Sequence, residues 1–158
     1  MFDNSSAITS TAAIAYTAGH SLGVHDRGGW AVIVTTPTTK PRALLGRERF
    51  TTEARQQLTA TIEALRFFKR GGPDILVVSP YVARGITAWE TEAESRRFRD
   101  RRGDLISNVD LWRPLFAEIE AHPYGELNWG ATNLDPLFLE GVARMARDQA
   151  LKTDYLVQ

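Results

Sequence analysis

The apolar run Trp30-Ala31-Val32-Ile33-Val34 is the strongest constraint on the fold. An unbroken apolar stretch of strand length reads as a buried strand. Gly28-Gly29 lead into it, and Thr36-Pro37-Thr38-Thr39-Lys40-Pro41 turns the chain back. The apolar segment from Ala12 to Tyr16 precedes it, and the loosely alternating Leu44 to Phe50 follows, so the pattern predicts a three-stranded meander. Ile75 to Val78 is β-branched and apolar, the signature of a central strand buried on both faces. Glu126 to Trp129 predicts one more short strand.

Helical signals fill the gaps. Thr52 can cap a helix that runs to about Arg70, with Leu58, Ile62 and Leu65 as its apolar stripe and Gly71-Gly72-Pro73 as its stop. Pro80 sits well at a first helical turn, and that helix continues to about Trp89. Asn108 is placed to cap a helix whose inward residues are Trp112, Leu115, Phe116 and Ile119, with Pro114 awkward inside it. Asp135-Pro136 pairs a cap with a proline at the first helical position, and Val142, Met145 and Ala146 give the last helix its core face. Three strands, helix, strand, two or three helices, strand, helix: this order is an α/β chain with helices packed on the faces of a mixed sheet.

The length of 158 residues suits one domain with a real core, expected over residues 11–152, with a disordered segment at 1–10 and a tail at 153–158. Formal net charge is +0, so no whole-molecule field attracts nucleic acid and any such contact must use a local patch. The absence of cysteine excludes disulfides and thiolate metal sites and suits a reducing, cytoplasmic compartment. No secretory signal is read at the start, and no apolar run is long enough to cross a membrane.

Several strings in this order resemble the bacterial type I ribonuclease H family. Tyr16-Thr17-Ala18-Gly19 resembles its YTDGS, and Thr51-Thr52 through Leu65 resembles TTNNRMELMAAIEAL. Ser79-Pro80-Tyr81-Val82 through Gly85-Ile86-Thr87-Ala88-Trp89 resembles DSQYV…GIT-W, and Asn108-Val109-Asp110-Leu111-Trp112 is NVDLW unchanged. Trp129 matches the tryptophan of the last strand, and Met145-Ala146-Arg147 falls on the family's LAR. The likeness covers roughly Ala12 to Ala150. It implies the ribonuclease H-like fold: a five-stranded mixed sheet, three antiparallel strands plus two parallel, with helices on both faces.

The departures are as specific as the matches. The resemblance implies four acids that hold two magnesium ions, which activate water and stabilise the leaving oxygen. Residue by residue, those acids fall on Ala18, Gln57, Val78 and Ala143, and the family's mobile histidine falls on Asn133. Magnesium prefers carboxylate oxygens, and only Gln57 offers an oxygen at all. The paired asparagines that touch the minor groove fall on Glu53 and Ala54, and the groove glutamine on Pro80. No metal or cofactor is therefore expected, and the chain reads as a catalytically inactive member of the family. The alternative is an RNA–DNA hybrid endonuclease with a relocated or rebuilt metal site. Candidates for that are His20, His25 and Asp26 on one loop, or Glu53, Asp74, Asp135 and Glu140 near the lost positions. Asp135 is already explained as a helix cap.

Two binding roles stay open. Arg96, Arg97, Arg99, Arg101 and Arg102, with Phe98 among them, fall where active relatives carry a basic protrusion that grips the duplex. Arginine with an interleaved aromatic contacts phosphate and stacks on bases. The competing account is a solvated charged helix neutralised by Glu90, Glu92, Glu94 and Asp100. The other role is protein contact, in a homodimer or with another partner, through the apolar centre that Ala18, Val78 and Ala143 leave. The four tryptophans, Trp30, Trp89, Trp112 and Trp129, are expected in or near the core.

Overall fold

The computed structural model describes residues 12–92, 97–129 and 134–152. The expected disordered segment, the C-terminal tail, Arg96 and Asn133 lie outside the described residues. In chain order the elements are β1 (Ile14–Ser21), β2 (Asp26–Thr35), β3 (Arg42–Thr51), α1 (Glu53–Arg66), β4 (Ile75–Val77), α2 (Pro80–Thr91), α3 (Val109–Ala121), β5 (Glu126–Asn128) and α4 (Pro136–Leu151). One sheet runs β3-β2-β1-β4-β5. The first three strands pair antiparallel, and β4 and β5 join them parallel. This is the mixed α/β architecture expected.

Alternation along the strands divides the core. Ala15, Val32, Val34, Leu76 and Val78 face one side, in a cluster with Leu58, Leu65, Ile86, Leu115 and Phe116 of α1, α2 and α3. Ile14, Tyr16, Ala31, Ile33 and Val77 face the other, where Val142 and Ala146 of α4 cover them. Leu58 and Leu65 are fully buried, so trimming either to alanine costs about 2–5 kcal/mol.

Capping follows the sequence at two of three helices where a cap was expected. Thr52 Oγ1 accepts the Arg55 amide at 3.3 Å, and Asp135 Oδ1 accepts the Leu137 amide at 2.9 Å. Asn108 departs from expectation: it is left-handed (φ 63°) and its side chain caps nothing. Its amide is taken by tertiary partners instead, accepting from Arg55 at 3.3 Å and donating to Tyr81 Oη at 3.2 Å. Helix α1 ends at Arg66 rather than Arg70. Phe67 is its C-cap and Phe68 lies beyond it, and both pack against the core. Pro114 lies inside α3 without ending it. Only the carbonyl of Asp110, in the first turn, loses its partner.

Candidate functional site

The four positions on which the resemblance sets the family's acids meet at one place. Ala18, Gln57, Val78 and Ala143 all line a cavity of about 320 Å³ where the carboxyl end of β4 meets the middle of β1. The parallel pairing of Tyr16 with Val77 sets the end of β4 beside the middle of β1, and Thr17 Oγ1 donates to the Val77 carbonyl at 2.7 Å. Gly19 lets α1 approach: a Cβ there would stand 2.2 Å from the Gln57 nitrogen. That contact carries Gln57 to the rim, and α4 brings Ala143 from the other face of the sheet.

The polar atoms of this cavity are engaged with one another. Gln57 Oε1 accepts from Ser79 Oγ at 2.8 Å, and Ser79 Oγ accepts the Val82 amide at 3.2 Å, capping α2. Gln57 Nε2 donates to Glu53 Oε2 at 3.5 Å, and Glu53 Oε1 lies 3.5 Å from His20 Nδ1. The remaining walls are largely hydrocarbon: Pro80, Leu139 and Val142 beside the two alanines and Val78. No carboxylate lines the cavity among the described residues.

Other candidates disperse. His25 is left-handed (φ 55°) and packs edge-on to Phe50, Asp26 accepts from the Arg27 amide, and Glu140 is exposed. Asp74 accepts from the Ala13 amide at 2.7 Å. Among the described residues, no three His, Cys, Asp or Glu side chains are grouped to hold an ion.

Among the described residues, the arginine segment from Phe98 to Ile106 is a turn. Arg99 pairs with Leu105 across it, and Asp100 Oδ1 accepts the amides of Arg102 and Asp104 at 2.9 and 3.0 Å. Asp100 is thus spent on the turn. Arg97, Arg99, Arg101 and Arg102 are exposed. Phe98 is not interleaved with them in solvent: it stacks on Phe116 at 5.7 Å and carries Arg113 over its ring.

Sequence reasoning missed three features. Ser79 precedes a proline at a helix start, the usual signal for a cap, yet its bond to Gln57 is tertiary and left no trace. Arg55 clamps Asp110 with two bonds of 3.0 and 2.8 Å, which holds the Asp110 carboxyl below its usual range. Trp129 was expected near the core but is 51% exposed, standing between this cavity and the neighbouring surface of α2. Beneath the site, burial pushes the Tyr16 hydroxyl upward, and the charge of Asp135 adds to it.

Comparison with known proteins places this geometry. The family model for RNase H matches residues 10–129. The chain is 32% identical over 139 residues to the ribonuclease H of Neorickettsia sennetsu, covering 87% of this chain and 91% of that one. It is 34% identical over 143 residues to ribonuclease HI of Pseudomonas aeruginosa, covering 85% and 95%. Among solved structures, LC9-RNase H1, a type 1 RNase H with the type 2 active-site motif, superposes with a TM-score of 0.71 at 23% identity, over 89% of this chain and 72% of that one. The foamy viral protease-reverse transcriptase in complex with RNA/DNA hybrid gives 0.78 at 15% identity, over 97% of this chain and 21% of that one. Both share the fold.

Proposed function

The chain belongs to the RNase H family, and from that premise we propose that it is a pseudoenzyme, a cytoplasmic binding module that keeps the fold and does not cut. The observation that carries this is the lining of the cavity where Ala18, Gln57, Val78 and Ala143 meet. The family's chemistry calls for magnesium, an ion that takes near-octahedral oxygen coordination through carboxylates and water. Three hydrocarbon side chains and one amide do not fit it, and that amide oxygen already accepts from Ser79. No step of hydrolysis can be routed through this donor set.

Its remaining nucleic-acid contact is peripheral, at Arg97, Arg99, Arg101 and Arg102. Such contact is electrostatic, about micromolar or weaker at physiological salt, and steep in salt. The exposed indole of Trp129 beside the apolar cavity favours a second role for the same face, contact with protein.

The deciding experiment incubates the purified protein with an RNA–DNA hybrid and magnesium or manganese. No cleavage is expected, and no magnesium-dependent rise in Tm, since a ligand of the folded state must raise it. Metal-dependent cleavage that disappears in Glu140→Ala or Asp135→Ala would establish a rebuilt site and end this proposal. Replacing the four described arginines with alanine should remove any hybrid or duplex binding. Binding that survives it, or that is tight and hybrid-selective, counts against a peripheral contact.

A further inference from the structure

A larger cavity, about 430 Å³, opens between α2, α3 and the turn at 98–106, away from the residues lining the vacated centre. Its size falls in the range of small-molecule sites. Three rings make its wall: Trp89 stacks on Phe116 at 4.5 Å with 7° between planes, and Trp112 stacks on Phe116 at 5.4 Å. Gly85 lets the Trp112 ring sit there, because a Cβ would stand 2.1 Å from it. The wall is therefore built by packing rather than by a flexible side chain.

Among the described residues, Arg84 and Arg99 both line it and no Asp or Glu does. Arg99 is held in place by donating to the Gly103 carbonyl at 2.7 Å. Arg84 is exposed and forms no ion pair among the described residues. A guanidinium left without a carboxylate beside a preformed aromatic wall favours a ligand that brings both the ring and the negative charge.

We propose that this cavity binds a planar aromatic small molecule carrying an anionic group, with the ring against the Trp89–Phe116–Trp112 wall and the anion at Arg84 and Arg99. The proposal is independent of whether the chain cuts nucleic acid, because the lining of this cavity shares no residue with the vacated centre.

Isothermal titration with naphthalenesulfonate, and with neutral naphthol as its uncharged counterpart, tests it. One-to-one binding of the sulfonate is expected, at least about tenfold tighter than naphthol, the worth of one charge-assisted contact. Arg84→Glu should weaken the sulfonate by at least about tenfold and leave naphthol and the Tm unchanged. Ala88→Leu, which fills the cavity from α2, should weaken both. Equal binding of the charged and neutral rings, sulfonate binding unchanged in Arg84→Glu, or no binding up to about one millimolar overturns the proposal. Because Arg84 is exposed, that variant folds and remains informative even if Ala88→Leu does not.

Discussion

The side chain of Gln57 accepts a hydrogen bond from Ser79 at 2.8 Å, joining α1 to the first turn of α2 across the mouth of the cavity. Ser79 is at the same time the cap of α2. One hydroxyl therefore satisfies a helix terminus and an amide oxygen, and neither is left to bind an ion. The family frame is retained around this pair, while Ala18, Val78 and Ala143 contribute only hydrocarbon.

Val78 is 5% exposed, within the cluster shared with α1, α2 and α3. Val78→Asp should cost at least about 2 kcal/mol in urea unfolding, because no cation among the described residues lines the cavity to pair with it. Burial raises the pKa of such an acid in the folded state, so that state holds its proton longer than the unfolded chain does. The cost therefore grows as pH rises through and above the ordinary aspartate range and shrinks below it. Unchanged stability across that range would contradict the apolar character assigned to this centre.

Placing acids at all four positions, as Ala18→Asp, Gln57→Glu, Val78→Asp and Ala143→Asp, should create a magnesium-dependent rise in Tm, with none expected in the natural chain. The measurement is differential scanning fluorimetry with and without magnesium. A folded quadruple variant with no response would show that the surroundings, and not only the four residues, have lost the site.

Asp110 is held low chiefly by its hydrogen bonds from Arg55. A carboxyl whose folded pKa is depressed stabilises the fold above its unfolded pKa and loses that contribution as pH falls through the folded value. Asp110→Asn should therefore flatten the acid limb of the stability curve, beginning near the ordinary aspartate value. Asp110 is largely exposed, so the effect at neutral pH is small, under about 1 kcal/mol. An acid limb identical in the two proteins would assign the loss to other carboxylates.

Gly19→Ala should be among the most damaging small substitutions. The added Cβ would lie 2.2 Å from the Gln57 nitrogen and 2.4 Å from the Gln56 carbonyl carbon, both backbone atoms that cannot turn aside. Displacing α1 from β1 should cost about 1–3 kcal/mol, read from the midpoint of denaturant unfolding. An unchanged midpoint would mean that α1 sits farther from β1 than these contacts require.

Much of the fold was legible in order and pattern alone. The apolar run Trp30–Val34, the β-branched Ile75–Val78, Thr52 as a cap and Asp135-Pro136 as a helix start are local signals, because a strand's alternation or a cap's bond involves only a few neighbours along the chain. The residue types at 18, 57, 78 and 143 fixed what chemistry those positions can offer wherever they sit. That they face one cavity was decided by tertiary structure, through the β1–β4 pairing and the close approach of α1 at Gly19. The same holds for the misjudged residues. Asn108 gave up its capping role to Arg55 and Tyr81, Phe98 turned onto Phe116, and Trp129 stayed half in solvent. In each case the deciding partner, or the lack of one, comes from an element distant in sequence, and side-chain burial is set by that packing rather than by the residue's own preference.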